Sequence, residues 1–115
     1  MVAKNQDFEM WANNDKRPEI TIRDPEGNPV NLDGASVEWV AVKQSDGTEM
    51  LRKSTSGGGI AITDAKAGKC IIKIDASDTQ GNDTATYDHE AMVTLSDNNQ
   101  VHVTVGVIDF HASNI

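Results

Sequence analysis

Ala85-Thr86-Tyr87-Asp88-His89-Glu90-Ala91-Met92-Val93-Thr94-Leu95, then Ser96-Asp97-Asn98-Asn99-Gln100, then Val101-His102-Val103-Thr104-Val105-Gly106-Val107-Ile108-Asp109-Phe110 is the stretch on which the fold turns. Ala85, Tyr87, His89, Ala91, Val93 and Leu95 alternate with Thr86, Asp88, Glu90, Met92 and Thr94, and a period of two belongs to a strand with opposite faces. The first set is predicted to be mostly buried. Val101–Phe110 alternates as well, and the five residues between the two segments are turn formers, so the pair reads as a β-hairpin.

Upstream, short β-branched runs separated by turn clusters recur at about the 8–12-residue spacing of a sandwich, and no apolar pattern holds a helical period. The fold class expected is all-β, an antiparallel β-sandwich of about seven to eight strands. A first strand is predicted over Asp7–Trp11 with Phe8 as its inward anchor. A second is predicted over Glu19–Arg23, with Ile20 and Ile22 on one face. Asp24-Pro25-Glu26-Gly27-Asn28-Pro29 requires a chain reversal, and Asn31-Leu32-Asp33-Gly34 a second bend. In Ser36–Lys43, Val37, Trp39 and Ala41 share a face opposite Glu38, Val40 and Val42, and Trp39 is expected at the centre of the core. Asp46-Gly47 signals a hairpin into Thr48–Lys53. Ser54-Thr55-Ser56-Gly57-Gly58-Gly59 reads as an exposed, mobile connector, since no Lys-Ser/Thr pair and no helix follow it as a phosphate loop demands. Strands are predicted at Ile60–Thr63 and Lys69–Ile74, with a single helical or 3₁₀ turn over Asp75–Thr79 capped by Asp75 or Ser77.

The chain of 115 residues suits one domain, assigned to residues 1–115, with an N-terminal arm over 1–7 and a C-terminal tail over 111–115. No apolar run is long enough for a membrane helix, so no membrane partner is expected. The start Met1-Val2-Ala3-Lys4-Asn5-Gln6-Asp7 lacks the basic residues and the apolar stretch of roughly 7–15 residues of a secretory signal. Eighteen acidic residues against ten basic ones leave a charge of −8 without a basic cluster, the wrong sign for a phosphate backbone, so no nucleic acid is expected. The single cysteine, Cys70, lies within Cys70-Ile71-Ile72-Lys73-Ile74 and reads as a buried structural thiol, with an intermolecular or reactive thiol as the alternative.

No catalytic, cofactor-binding or metal-binding residue is expected. His89, His102 and His111 invite a metal reading, but a tight turn at Asp97–Gln100 would pair His102 near Leu95, about 20 Å along the strand from His89. Asp75–Asp78 and Asp97–Asn99 are acidic turns without the alternating calcium-loop pattern. Ser and Thr are scattered with no partner base, and Asp88 and Glu90 share a strand face where exposed charge is ordinary, so the chain reads as no enzyme.

Asp83-Thr84-Ala85-Thr86-Tyr87 resembles the start of the sixth strand in immunoglobulin domains, where a tyrosine hydroxyl bonds back to the chain. His89 stands where the disulfide cysteine of that strand would be, and no cysteine lies upstream of Cys70, which excludes an antibody-type domain. Asp7-Phe8-Glu9-Met10-Trp11, the run Gly27–Val37, Ala67-Gly68-Lys69, Ser77-Asp78-Thr79 and Thr86-Tyr87-Asp88-His89-Glu90-Ala91 together resemble a family of small immunoglobulin-like virion proteins of tailed bacteriophages. The resemblance spans nearly the whole chain and rests on the order and spacing of these pieces. It implies a non-enzymatic virion protein made in the host cytoplasm, foremost a capsid decoration or cement protein binding the head surface. The alternatives it leaves are a head–tail, tail or baseplate accessory component, and beyond the resemblance a carbohydrate-binding or adhesive module, or a hydrolase fragment. Phage capsid or tail proteins and homo-oligomeric or other symmetric contacts are the partners implied. The expected contact elements are Val2–Trp11, the Gly57–Gly59 loop and His111–Ile115.

Overall fold

The computed structural model describes residues 7–11, 14–24, 26–79 and 84–111, with the side chains of 103–105 excepted. The described residues form eight strands: β1 Phe8–Trp11, β2 Glu19–Thr21, β3 Ser36–Lys43, β4 Glu49–Ser54, β5 Ile60–Asp64, β6 Lys69–Ile72, β7 Ala85–Thr94 and β8 Gln100–His111. A 3₁₀ turn over Ala76–Thr79 joins β6 to β7. The strands form two sheets, ordered β1-β8-β7-β3-β4 and β2-β6-β5. Chain connections cross from one sheet to the other after β1, β2, β4 and β6. A β8-β7-β3-β4 sheet facing a β2-β6-β5 sheet has the strand arrangement of an immunoglobulin-like sandwich with an added strand beside the third.

The core follows from the period of two. Val37, Trp39 and Ala41 of β3 and Tyr87, His89, Ala91 and Val93 of β7 point inward, facing Ile20, Ile22, Cys70, Ile72 and Ile74 from the other sheet. Burying one such aliphatic side chain contributes about 1.5–3 kcal/mol, so this layer supplies the main driving force. Trp39 is 0% exposed and sits at the centre, as the sequence predicts. Tyr87 is buried with its ring edge-on to Phe110, centroids 5.8 Å apart. Asp83, where the corner pattern begins, lies outside the described residues.

Two expectations are corrected. The sandwich is not wholly antiparallel, because β1 runs parallel to β8, pairing Phe8 with Ile108 and Trp11 with His111. Phe8 points inward as expected, packed on the core and edge-on to His89 at 5.2 Å, and Met10 on the same face is the more deeply buried of the two. The Ser54–Gly59 connector is tied down rather than loose: Gly57 N donates to Ser54 Oγ, Gly58 N to Thr55 O and Gly59 N to Ser54 O. The β7–β8 hairpin also hides a break in its period. His89 pairs with Gly106 and Glu90 with Thr104, so residue 105 is an extra residue in β8, and the inward set changes from Val101 to Ile108 and Phe110 across it.

Local turns take the residues that their geometry requires. Asp24 Oδ1 accepts from Glu26 N and Asn28 N, and Gly27 occupies a φ of 90°. The Asp46-Gly47 hairpin forms as expected, with Thr48 N donating to Asp46 Oδ1 and Gly47 at φ 76°. Gly68 is the tightest position: at φ 72°, an added Cβ would lie 2.7 Å from Ile22 O and 3.0 Å from Val30 O. The expected 3₁₀ turn is capped differently from the prediction. Asp15 Oδ1 accepts from Ala76 N, and Asp78 Oδ2 reaches back to Asp75 N.

Candidate docking surface

The N-terminal and C-terminal contact elements expected from sequence come together. The β1–β8 register sets Trp11 beside His111, and the two rings stack with centroids 4.6 Å apart and planes 24° apart. Glu9 Oε2 lies 3.2 Å from His111 Nε2. Asp7 Oδ1 accepts from Val107 N at 2.8 Å and pins the start of the strand. Trp11 remains 46% exposed, the one exposed large hydrophobic side chain among the described residues. It stands on an edge strand, whose outer backbone groups have no sheet neighbour among the described residues. The Gly57–Gly59 loop does not join this cluster, because it follows β4 at the opposite edge of the sheet. Residues 2–6 and 112–115 of the expected contact elements lie outside the described residues.

Alternation across the five-stranded sheet sends Glu9 and Trp11 of β1, Val107 and Asp109 of β8, Asp88, Glu90 and Met92 of β7, and Glu38, Val40 and Val42 of β3 to its outer face. Glu49 and Arg52 of β4 complete it. Arg52 is bonded to two of the carboxylates, Glu38 at 3.0 Å and Glu49 at 2.8 Å, and those hydrogen bonds raise its pKa above the ordinary guanidinium value. Gln44 donates to Asp88 Oδ1 at 2.7 Å, and His102 lies 3.0 Å from Glu90. Asp88 and Glu90 therefore share an exposed face, as the sequence indicates. The face as a whole was not legible, because it depends on the parallel β1 pairing and on the extra residue in β8.

The three histidines serve three separate environments. His89 is 0% exposed, and its Nδ1 accepts a 3.0 Å hydrogen bond from the Trp39 indole N–H. The position that holds a disulfide cysteine in antibody domains thus holds an imidazole bonded to the core tryptophan. His102 pairs with Met92 rather than near Leu95, three residues along β7 from His89 instead of six. The shift follows from the turn: Leu95 N donates to Asn99 O and Asn98 N to Leu95 O, with Asn98 at φ 71°, which closes the hairpin at Leu95–Asn99 instead of 97–100. What separates His102 from His89 is the face, one outward and one inward. Among the described residues, no group of three His, Cys, Asp or Glu side chains is placed to hold a metal ion.

Elsewhere the shifted ionisable groups lie apart from one another and from Trp11. Burial, with a smaller contribution from the Glu19 charge, pushes the Cys70 thiol up to about 12, the state of an inert buried thiol. Burial would raise the Asp78 carboxyl, but its hydrogen bonds from the Lys53 ammonium at 2.8 Å and from Asp75 N outweigh this and hold it below the ordinary carboxylate value. The bonds from Thr48 lower Asp46 in the β3–β4 turn. No described helix is long and apolar enough to cross a membrane.

No family model matches the chain, and no curated protein does. Among solved structures, a structure of murine CRIg is similar over 95% of this chain and 93% of that one, at 17% identity and a TM-score of 0.46. Similarity at this level assigns neither a family nor an activity.

Proposed function

We propose that the protein is a non-enzymatic structural component of a tailed-bacteriophage virion, a capsid decoration protein that seats on the head surface through the β1 edge. What supports the reading is one observation: the largest exposed apolar side chain, Trp11, sits on an open edge strand of a closed sandwich. Aromatic anchors on a rigid frame carry a disproportionate share of binding energy at interfaces. The remaining support is the sequence resemblance, whose leading phrase, Asp7-Phe8-Glu9-Met10-Trp11, supplies this edge.

Co-sedimentation with purified heads and purified tails of the phage that encodes the chain tests the proposal. Attachment to heads, weakened at least about tenfold by Trp11→Ala, is the expected result for an anchor residue. Attachment to tails alone moves the proposal to the tail or baseplate alternative, and attachment to neither overturns it.

The exposure of Trp11 also favours a second reading, the carbohydrate-binding or adhesive module, which needs an exposed aromatic ring. One face of that ring is already occupied by His111. Binding on a glycan array that is lost in Trp11→Ala would select this reading over the first.

A further inference from the structure

We propose that the outer face of the five-stranded sheet docks on a basic protein surface, with an arginine or lysine side chain of the partner seated against the exposed face of Trp11. The inference takes from the preceding reading the premise that the domain docks, and it adds the chemistry of what it docks on. Charge is divided unequally between the two sheets. The outer face of β1-β8-β7-β3-β4 carries Glu9, Glu38, Glu49, Asp88, Glu90 and Asp109 against one guanidinium, that of Arg52. The outer face of β2-β6-β5 carries Lys69 and Lys73, with Arg23 just beyond β2, against Glu19 and Asp64.

The acidic face is more than a solvated surface, for two reasons. Glu9 and Asp109 occupy neighbouring register positions on β1 and β8, where like charges side by side on a sheet are destabilising; His111 bonds Glu9, and a cation supplied by a partner would add to that relief. The carboxylates also surround apolar positions at Val40, Val42, Met92 and Val107, all half-buried, with Trp11 at the rim. An indole that is 46% exposed and stacked on His111, whose own Nε2 lies 3.2 Å from Glu9, sets an aromatic ring and a carboxylate on one face, which fits the cation–π and ion-pair contacts of one guanidinium or ammonium group. A second copy meeting this face by two-fold symmetry would bring six carboxylates against six, so like charge opposes that occupant.

The test is a titration of the isotope-labelled protein, followed by amide chemical shifts, with a ten-residue peptide alternating arginine and threonine. A peptide in which glutamate replaces arginine is the control. Shifts confined to β1, β8, β7 and β3 around Trp11, weakened by added salt, are expected for the arginine peptide, and no binding for the control. Asp88→Asn combined with Asp109→Asn should weaken binding about three- to tenfold, since each exposed pair contributes modestly. Trp11→Ala should weaken it about threefold. Both variants change outward side chains, and an unchanged thermal midpoint establishes that they fold.

Shifts spread over the acidic turns, equal binding of both peptides, or no effect of the double substitution would overturn the inference. So would concentration-dependent self-association abolished by Lys69→Glu and Lys73→Glu, which would make the occupant the basic sheet of another copy. Heads decorated equally by the wild type and the Asp88→Asn, Asp109→Asn variant would overturn it while leaving the docking proposal intact. Failure to attach to heads or tails, with the arginine peptide still mapping to this face, would reverse that outcome.

Discussion

Trp39 and His89 form a fully buried hydrogen-bonded pair at the centre of the core. An indole N–H only donates, so the imidazole nitrogen facing it, Nδ1, must accept and carry no proton. Trp39→Phe keeps most of the buried ring but removes the donor, which should cost about 1–3 kcal/mol in chemical denaturation. Trp39→Ala should cost about 3–5 kcal/mol, enough to unfold a domain of ordinary stability. A loss with Trp39→Phe as large as with Trp39→Ala would mean that packing contributes little beyond the bond.

Cys70 makes a second prediction. Its folded pKa, about 12, lies above the unfolded value near 9.0, so its contribution to stability is complete below pH 9 and is lost as the pH rises toward 12. Three units correspond to about 4 kcal/mol. Cys70→Ala should flatten this part of the alkaline stability curve, and a curve as steep as the wild type's would contradict the buried, inert thiol. Both residues were partly legible. The alternation at Cys70-Ile71-Ile72 marks the thiol as inward, and Trp39 falls in the inward set of its strand, but the bond between Trp39 and His89 joins residues 50 apart and leaves no local trace.

Strand periodicity carried most of the elements, because each long strand has one wet and one dry face. It failed where a pairing depends on a partner's register. Residue 105 is the clearest case: the extra residue moves the inward set from odd to even positions, and the sequence marks it only by the adjacent apolar pair Val107-Ile108 and by Gly106, which comes to lie opposite His89. The four residues of β1 were too few to declare a parallel pairing. In the 54–59 connector, three glycines indicated mobility, whereas the Ser54 side chain and backbone tie the turn closed.

Gly68→Ala tests the tightest turn. With φ at 72° and carbonyl oxygens at 2.7 and 3.0 Å from the new Cβ, it should lower stability by about 1–3 kcal/mol. Gly27→Ala, with open space around its Cβ, bears only the cost of its φ and should lower stability less. The Lys53–Asp78 pair fastens β4 to the 3₁₀ turn. Because the folded Asp78 carboxyl titrates below its ordinary value of 3.8, the stabilisation is present above that pH and fades as the pH falls through the lower folded value. Asp78→Asn should reduce the acid sensitivity of unfolding, and an unchanged acid limb would contradict the pairing.

At the scale of the whole molecule, the sandwich is a rigid frame that holds one sheet face open. The division of charge between the two sheets and the placement of Trp11 at the acidic rim both follow from alternation once the register is known. Neither was visible from the net charge of −8, which reports the sum and not its distribution. The two tryptophans report on separate parts of this arrangement, Trp39 on the core and Trp11 on the docking edge. Binding should therefore alter the emission of Trp11 while leaving that of Trp39 unchanged, which Trp11→Phe and Trp39→Phe variants separate. The most direct measurement is hydrogen–deuterium exchange of the domain alone and attached to purified heads. Added protection is expected on β1 and its neighbour β8, including the outer amides of the Trp11 edge; protection confined to β2, β6 and β5, or none anywhere, would contradict docking through this face.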